Sequence, residues 1–156
     1  MSDISTLKNK INTKTLHLFL LGSVTGGLYL HIWLYKTFTA LEEVTRIKTM
    51  STTFLVWYLI TIGLIGNVSL VNHPVALMVM GVLFLLLSVF TLLWSFRARR
   101  VLRAYALAEH NFELRMSLLY TGLFTFYYIN YCINALPADK QKHDDRKRPT
   151  PHSVQA

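Results

Sequence analysis

Two stretches of this chain, Thr52–Val71 and Val75–Phe96, contain no Asp, Glu, Lys, Arg or His. Each matches the ~20 apolar residues that a helix needs to cross a bilayer at ~1.5 Å rise per residue. A helix is one of only two backbone forms that satisfy their polar groups internally when lipid is the solvent. Asn72, His73 and Pro74 separate the two runs, and a proline there cannot continue the preceding helix. A tight transmembrane hairpin is the central expectation.

Two further apolar segments, Leu16–Tyr35 and Met116–Leu136, reach the same length but carry Gly, Thr, Tyr, Asn or His. They also resemble each other. Thr25–Leu41 reads TGGLYLHIWLYKTFTAL and Thr121–Leu136 reads TGLFTFYYINYCINAL. A shift of 95 positions sets Gly27 on Gly122, Tyr29 on Phe124, Trp33 on Tyr128, Ala40 on Ala135 and Leu41 on Leu136. The chain therefore reads as one membrane domain, residues 1–136, with an internal repeat at about 22–41 and 117–136. Its candidate signature and packing residues are Gly27, Tyr29, Trp33, Tyr35, Gly122, Phe124, Tyr128, Asn130 and Asn134.

Composition supports a lipid environment. The chain is 53% hydrophobic and 15% charged, against about 45–50% and about 25% in soluble domains. Its net charge of +8 comes from 16 Lys and Arg against 8 Asp and Glu. These basic residues flank the apolar segments, as they do when they face anionic headgroups. Lipid, rather than nucleic acid, is the expected partner, with a homo-oligomer or another membrane protein as further candidates.

The run RARRVLR offers Arg97, Arg99, Arg100 and Arg103 to headgroups. The same run also reads as a helical extension of the third segment with solvated arginines, because Val101, Tyr105, Ala108 and Phe112 share one helical face. Thr37–Met50 repeats the pattern with Phe38, Leu41, Val44 and Ile47, and with Glu42 four residues before Arg46. It is expected to lie on the membrane as an amphipathic helix. Residues 137–156 are polar and contain proline, and read as a disordered tail. No removable signal peptide is expected at the N-terminus.

Charge counting separates two topologies. If all four segments cross, eight Lys and Arg fall on each side and no orientation follows. If the first and fourth segments enter and leave on one side, all sixteen fall on that side and only the Asn72–Pro74 turn lies opposite. The second arrangement accounts for the charges better, and Gly22, Gly26 and Gly27 would permit the bend that it needs. Gly22 and Gly26 also fit close helix packing. The expected fold class is an all-α integral membrane protein. It has four hydrophobic helical segments, a central transmembrane hairpin plus two related aromatic-rich segments that span or re-enter, with amphipathic surface helices. The expected location is a plasma membrane with both termini cytoplasmic.

The order TGGLYLHIWLYK, a basic mid-chain helix and then TGLFTFYYINYCIN resembles the small bacterial membrane proteins of the domain of unknown function 4234 family. Thr25, Gly27, Tyr29, Trp33 and Tyr35 match its first motif; Thr121, Gly122, Phe124, Tyr127, Tyr128 and Asn134 match its second. Gly26, where the family places an aromatic residue, and Thr121 directly before Gly122 depart from the pattern. The resemblance covers about residues 15–136. It implies a multi-pass membrane location and neither an activity nor a cofactor.

No residue set specifies a reaction. None of the six histidines lies three to five residues from another, so the usual zinc spacings are missing. His110 with Glu113, and Asp139 with His143, read as solvated polar faces. The carboxylate pairs Glu42–Glu43 and Asp144–Asp145 are adjacent and would point apart on a helix. No phosphate loop or nucleophile elbow is present. Cys132, the single cysteine, cannot form an intrachain disulfide and reads as a small packed thiol. The expected protein is non-enzymatic and free of cofactors. Its first expected role is partner binding or scaffolding in a membrane complex. The alternatives are a small oligomeric channel or transporter, with Asn67, Asn130 and Asn134 lining a path, and an interfacial lipid-binding or membrane-shaping protein.

Overall fold

The structure is a computed structural model and describes residues 4–147. Those residues form α1 (Ser5–Ile11), α2 (Thr15–Val24), α3 (Leu28–Thr45), α4 (Thr52–Val68), α5 (Pro74–His110) and α6 (Leu118–Lys147), with no strand among them. The expectation of four membrane segments is corrected. Among the described residues one helix, α5, is long and apolar enough to cross a membrane, and α4 is a shorter apolar helix of 17 residues.

The central hairpin forms as its punctuation dictates. Ser51 caps α4 by accepting the Phe54 N–H at 3.2 Å. At the other end Asn67 and Ser69 donate back to the Gly63 and Gly66 carbonyls at 2.8 and 2.7 Å. Pro74 opens α5, where its missing N–H costs nothing, and His73 Nδ1 accepts the Val75 N–H at 3.2 Å. The helix then runs 37 residues, or ~55 Å, through the arginine run to Asn111. Asn111 adopts the left-handed conformation, and Phe112 N–H closes on the Ala106 carbonyl at 3.2 Å. Val101, Tyr105 and Phe112 are buried, whereas Ala108 is exposed.

The first segment is broken. Gly26 and Gly27 take φ of +59° and +91°, a region that L side chains rarely enter. Thr25 serves both sides of the break. Its hydroxyl donates to the Leu21 carbonyl at 2.7 Å and accepts the Tyr29 N–H at 3.0 Å. The paired glycines therefore have different duties. A Cβ on Gly22 would meet the Leu30 side chain at 3.2 Å, so Gly22 permits α2 to lie close to α3, while Gly26 and Gly27 face open space and make the bend.

The fourth segment is broken too. Thr125 sits at φ +30° and ψ −102° inside α6, an outlier for a β-branched residue. Ser117 N–H donates to the Tyr128 hydroxyl at 2.9 Å across eleven residues. A straight helix would separate those two backbones by ~16 Å, beyond the reach of a tyrosine, so the chain folds back at Thr125. In the repeat register, Leu34 and Ile129, Thr37 and Cys132, and Leu41 and Leu136 are all buried. The two breaks do not fall at matching positions, and Trp33 is buried where Tyr128 is half-exposed.

The returning arms form the packed body. Trp33 of α3, Trp94 of α5 and Phe126 of α6 meet with ring centroids 5.7–6.0 Å apart. From that level the three helices run in the same direction. At their far ends Lys10 of α1 pairs with Glu43, and the Phe112 and His143 rings approach to 6.1 Å. Leu7 and Ile11 seat α1 in the same core. Two sequence expectations change here. Thr37–Thr45 is helical, but as the end of α3, and its Leu41 and Val44 bury against the body instead of lipid. The tail expected to be disordered from residue 137 continues α6 through Pro137 to Lys147, and its remaining residues lie outside the described ones.

The outer surface of the two breaks and of the hairpin is apolar. No residue in the most apolar eighteen-residue stretch of α5 is buried. Leu16, Leu20, Val24 and Leu28 of the first break, and Leu119, Leu123 and Phe124 of the second, are exposed as well. Soluble monomers rarely expose contiguous apolar patches above a few hundred Å².

Candidate functional site

The repeat signature is mostly structural. Trp33 is fully buried, and Gly27 starts α3 in the left-handed conformation. Tyr29 is partly buried, while Tyr35 and Phe124 are exposed. Gly122 faces the Phe96 ring, 3.9 Å from where a Cβ would stand. Asn130 is completely buried and donates to the Thr13 carbonyl at 2.9 Å and to Thr15 Oγ1 at 3.2 Å. Asn134 donates to the same Thr13 carbonyl and to the Asn130 carbonyl, both at 3.0 Å. The two amides thus clamp the α1–α2 turn. Asn67, the third residue of the channel expectation, is bonded to its own helix.

The four arginines divide by employment. Arg99 donates from Nε and Nη2 to the Met116 carbonyl at 3.1 and 2.8 Å, which pins the irregular segment 111–117 back along α5. Arg103 pairs with Glu113 at 3.5 Å, with both side chains substantially exposed. Arg97 lies over the Phe54 ring at 5.9 Å, a contact open to a guanidinium that stays at the interface. Arg100 points to solvent. Arg99 and Arg103 line a groove of about 470 Å³ with Glu113, Arg115, Met116, Ser117, Tyr120 and Tyr128.

Glu113, Arg115, Met116, Ser117 and Tyr120 are the members of this groove that sequence reasoning did not name as site residues. The available signal was a basic residue placed directly before an apolar, tyrosine-bearing segment. What the sequence could not show is the fold-back that carries this segment alongside Arg99. The Tyr128 wall is fixed by its bond to Ser117 and by the Tyr120 ring at 5.8 Å. Behind it Cys132 is buried, and burial pushes its thiol up to about 11. A guanidinium is permanently charged at biological pH, so three arginines against one carboxylate give the groove a positive field. It can hold an anion.

A second polar contact lies among the apolar residues, where His31 Nδ1 and the Tyr58 hydroxyl bond to each other and tie α3 to α4. The chain matches no family model, no curated protein and no solved structure.

Proposed function

We propose that this is a non-enzymatic membrane protein that spans the bilayer through the α4–α5 hairpin and wedges two broken hairpins into the leaflet beside its body, binding anionic lipid and deforming that leaflet. Of the roles expected from the sequence, this interfacial one accounts best for the geometry. The observation that carries it is the unequal length of the exposed apolar arms, short in α2 and in the 118–124 arm of α6 and long in the α4–α5 hairpin. The α2 arm has ten residues, or ~15 Å, half of a ~30 Å hydrocarbon core. The α4–α5 hairpin extends about twice as far. Volume added to one leaflet only is the physical basis of a wedge. Every Lys and Arg lies outside residues 49–96, so the positive-inside rule assigns the body to the cytoplasmic face of a plasma membrane. The resemblance to the domain of unknown function 4234 family agrees with a multi-pass location.

Single cysteines in a Cys132→Ser background test this. Ser69→Cys is expected to react with an impermeant maleimide from outside the cell, and Ala108→Cys only after the membrane is opened. Ser23→Cys, beside the first break, is expected to be unreactive from outside. Outside labelling at Ser23→Cys would mean that the first segment crosses, and the wedge would be lost.

A further inference from the structure

We infer that the groove between α5 and the 111–117 segment is a specific site for the phosphate of an anionic phospholipid, not merely part of a basic surface. The inference rests on the lipid-facing reading above and names its ligand. Three features place the phosphate. Arg99 is held by Met116, so its planar guanidinium is ordered before any ligand arrives, which lowers the entropy of binding. Arg103 is restrained only by an exposed pair with Glu113, and such pairs are weak enough to exchange for a phosphate. Arg115 is exposed on the groove wall. Arginine forks match phosphate oxygens in paired hydrogen bonds.

The surroundings select a lipid over a soluble phosphate. Tyr120 forms one wall, and its ring continues to Phe124 at 6.1 Å. The exposed Leu119, Leu123 and Phe124 lead from that wall down the apolar tip of the second break. A phosphate among the arginines would direct its acyl chains along this apolar face. The tyrosine sits between the charged and apolar parts, the position that amphipathic aromatics favour at a membrane interface.

The test uses the purified full chain in dodecyl maltoside, titrated with dihexanoyl phosphatidylglycerol, dihexanoyl phosphatidylcholine and glycerol 3-phosphate, with binding read by calorimetry. The anionic lipid is expected to bind more tightly than the other two. Arg115→Gln should weaken it about tenfold or more, the loss expected for a charged hydrogen bond. Arg100→Gln, which removes the same charge outside the groove, should change it less than about twofold if only screened surface attraction is lost. Glu113→Gln should tighten binding by freeing Arg103, whereas Glu43→Gln should not. Equal effects of Arg100→Gln and Arg115→Gln would reduce the groove to diffuse basic charge. Equal affinity for glycerol 3-phosphate would make it an anion site with no lipid preference, and equal affinity for phosphatidylcholine would remove headgroup selection. Any of these three results overturns the proposal. Ser23→Cys labelling reads the wedge and this titration reads the groove, so either can fail alone.

Discussion

The Thr13 carbonyl offers a quantitative test of what the buried asparagines do. It accepts from Asn130 Nδ2 at 2.9 Å and from Asn134 Nδ2 at 3.0 Å. Asn130→Ala removes two hydrogen bonds, ~1 kcal/mol each. It also removes Asn130 Oδ1, which is buried without a partner, and relief of that group offsets ~1 kcal/mol. The net loss is ~1 kcal/mol. Asn134→Ala removes two bonds from a half-buried side chain, again ~1 kcal/mol. In either single variant the Thr13 carbonyl keeps one donor. In the double variant it has neither, and Thr13 is buried, so a further ~1–2 kcal/mol of unrelieved desolvation appears. The double variant should therefore lose ~3–4 kcal/mol, more than the sum of the singles. Unfolding equilibria in mixed micelles give the three differences. Amide exchange over residues 5–15 should locate the loss in α1 and the turn that follows it. Additivity within ~0.3 kcal/mol would refute the shared-acceptor reasoning.

Two other outcomes follow from the backbone and from the buried thiol. Gly27→Ala should destabilise the protein by ~1–2 kcal/mol in the same assay, because its φ of +91° is costly for an L residue, whereas Gly63→Ala, in open space within α4, should be neutral or slightly stabilising. Equal effects would show that the first break does not depend on glycine. Cys132, with a thiol raised to about 11 by burial, should alkylate slowly at neutral pH and faster as pH rises toward that value, because the thiolate is the reactive form. Its folded-state pKa is raised, so the native thiol holds its proton where the unfolded thiol begins to lose it. That contribution to stability is present below the unfolded value and lost as pH climbs to about 11. Rapid alkylation of the native protein at pH 7 would contradict the burial.

What the sequence determined by itself was whatever depends on neighbours along the chain. Helix was dictated by long apolar runs without strand alternation. The hairpin joint followed from Asn72–His73–Pro74, and the extension of α5 through the arginines followed from the spacing of Val101 and Tyr105. The bend at Gly26–Gly27 was legible because glycine is the residue that tolerates positive φ. The bend at Thr125 was not legible, because a threonine advertises no such conformation; it is enforced by Tyr128 reaching Ser117 and by Phe126 packing on Trp94. Likewise, Thr37–Thr45 presents the same apolar stripe to lipid or to a protein body, and only the arrival of α1 and α5 beside it chose the body. In the sequence Asn130 reads as a packing or path-lining residue and Arg99 as a headgroup contact. Their acceptors, the carbonyls of Thr13 and Met116, lie 117 and 17 residues away along the chain. Periodicity records which face of a helix avoids water. The tertiary structure decides what covers that face, because a long-range partner is chosen by the free energy of the whole packed arrangement and leaves no mark at a fixed spacing.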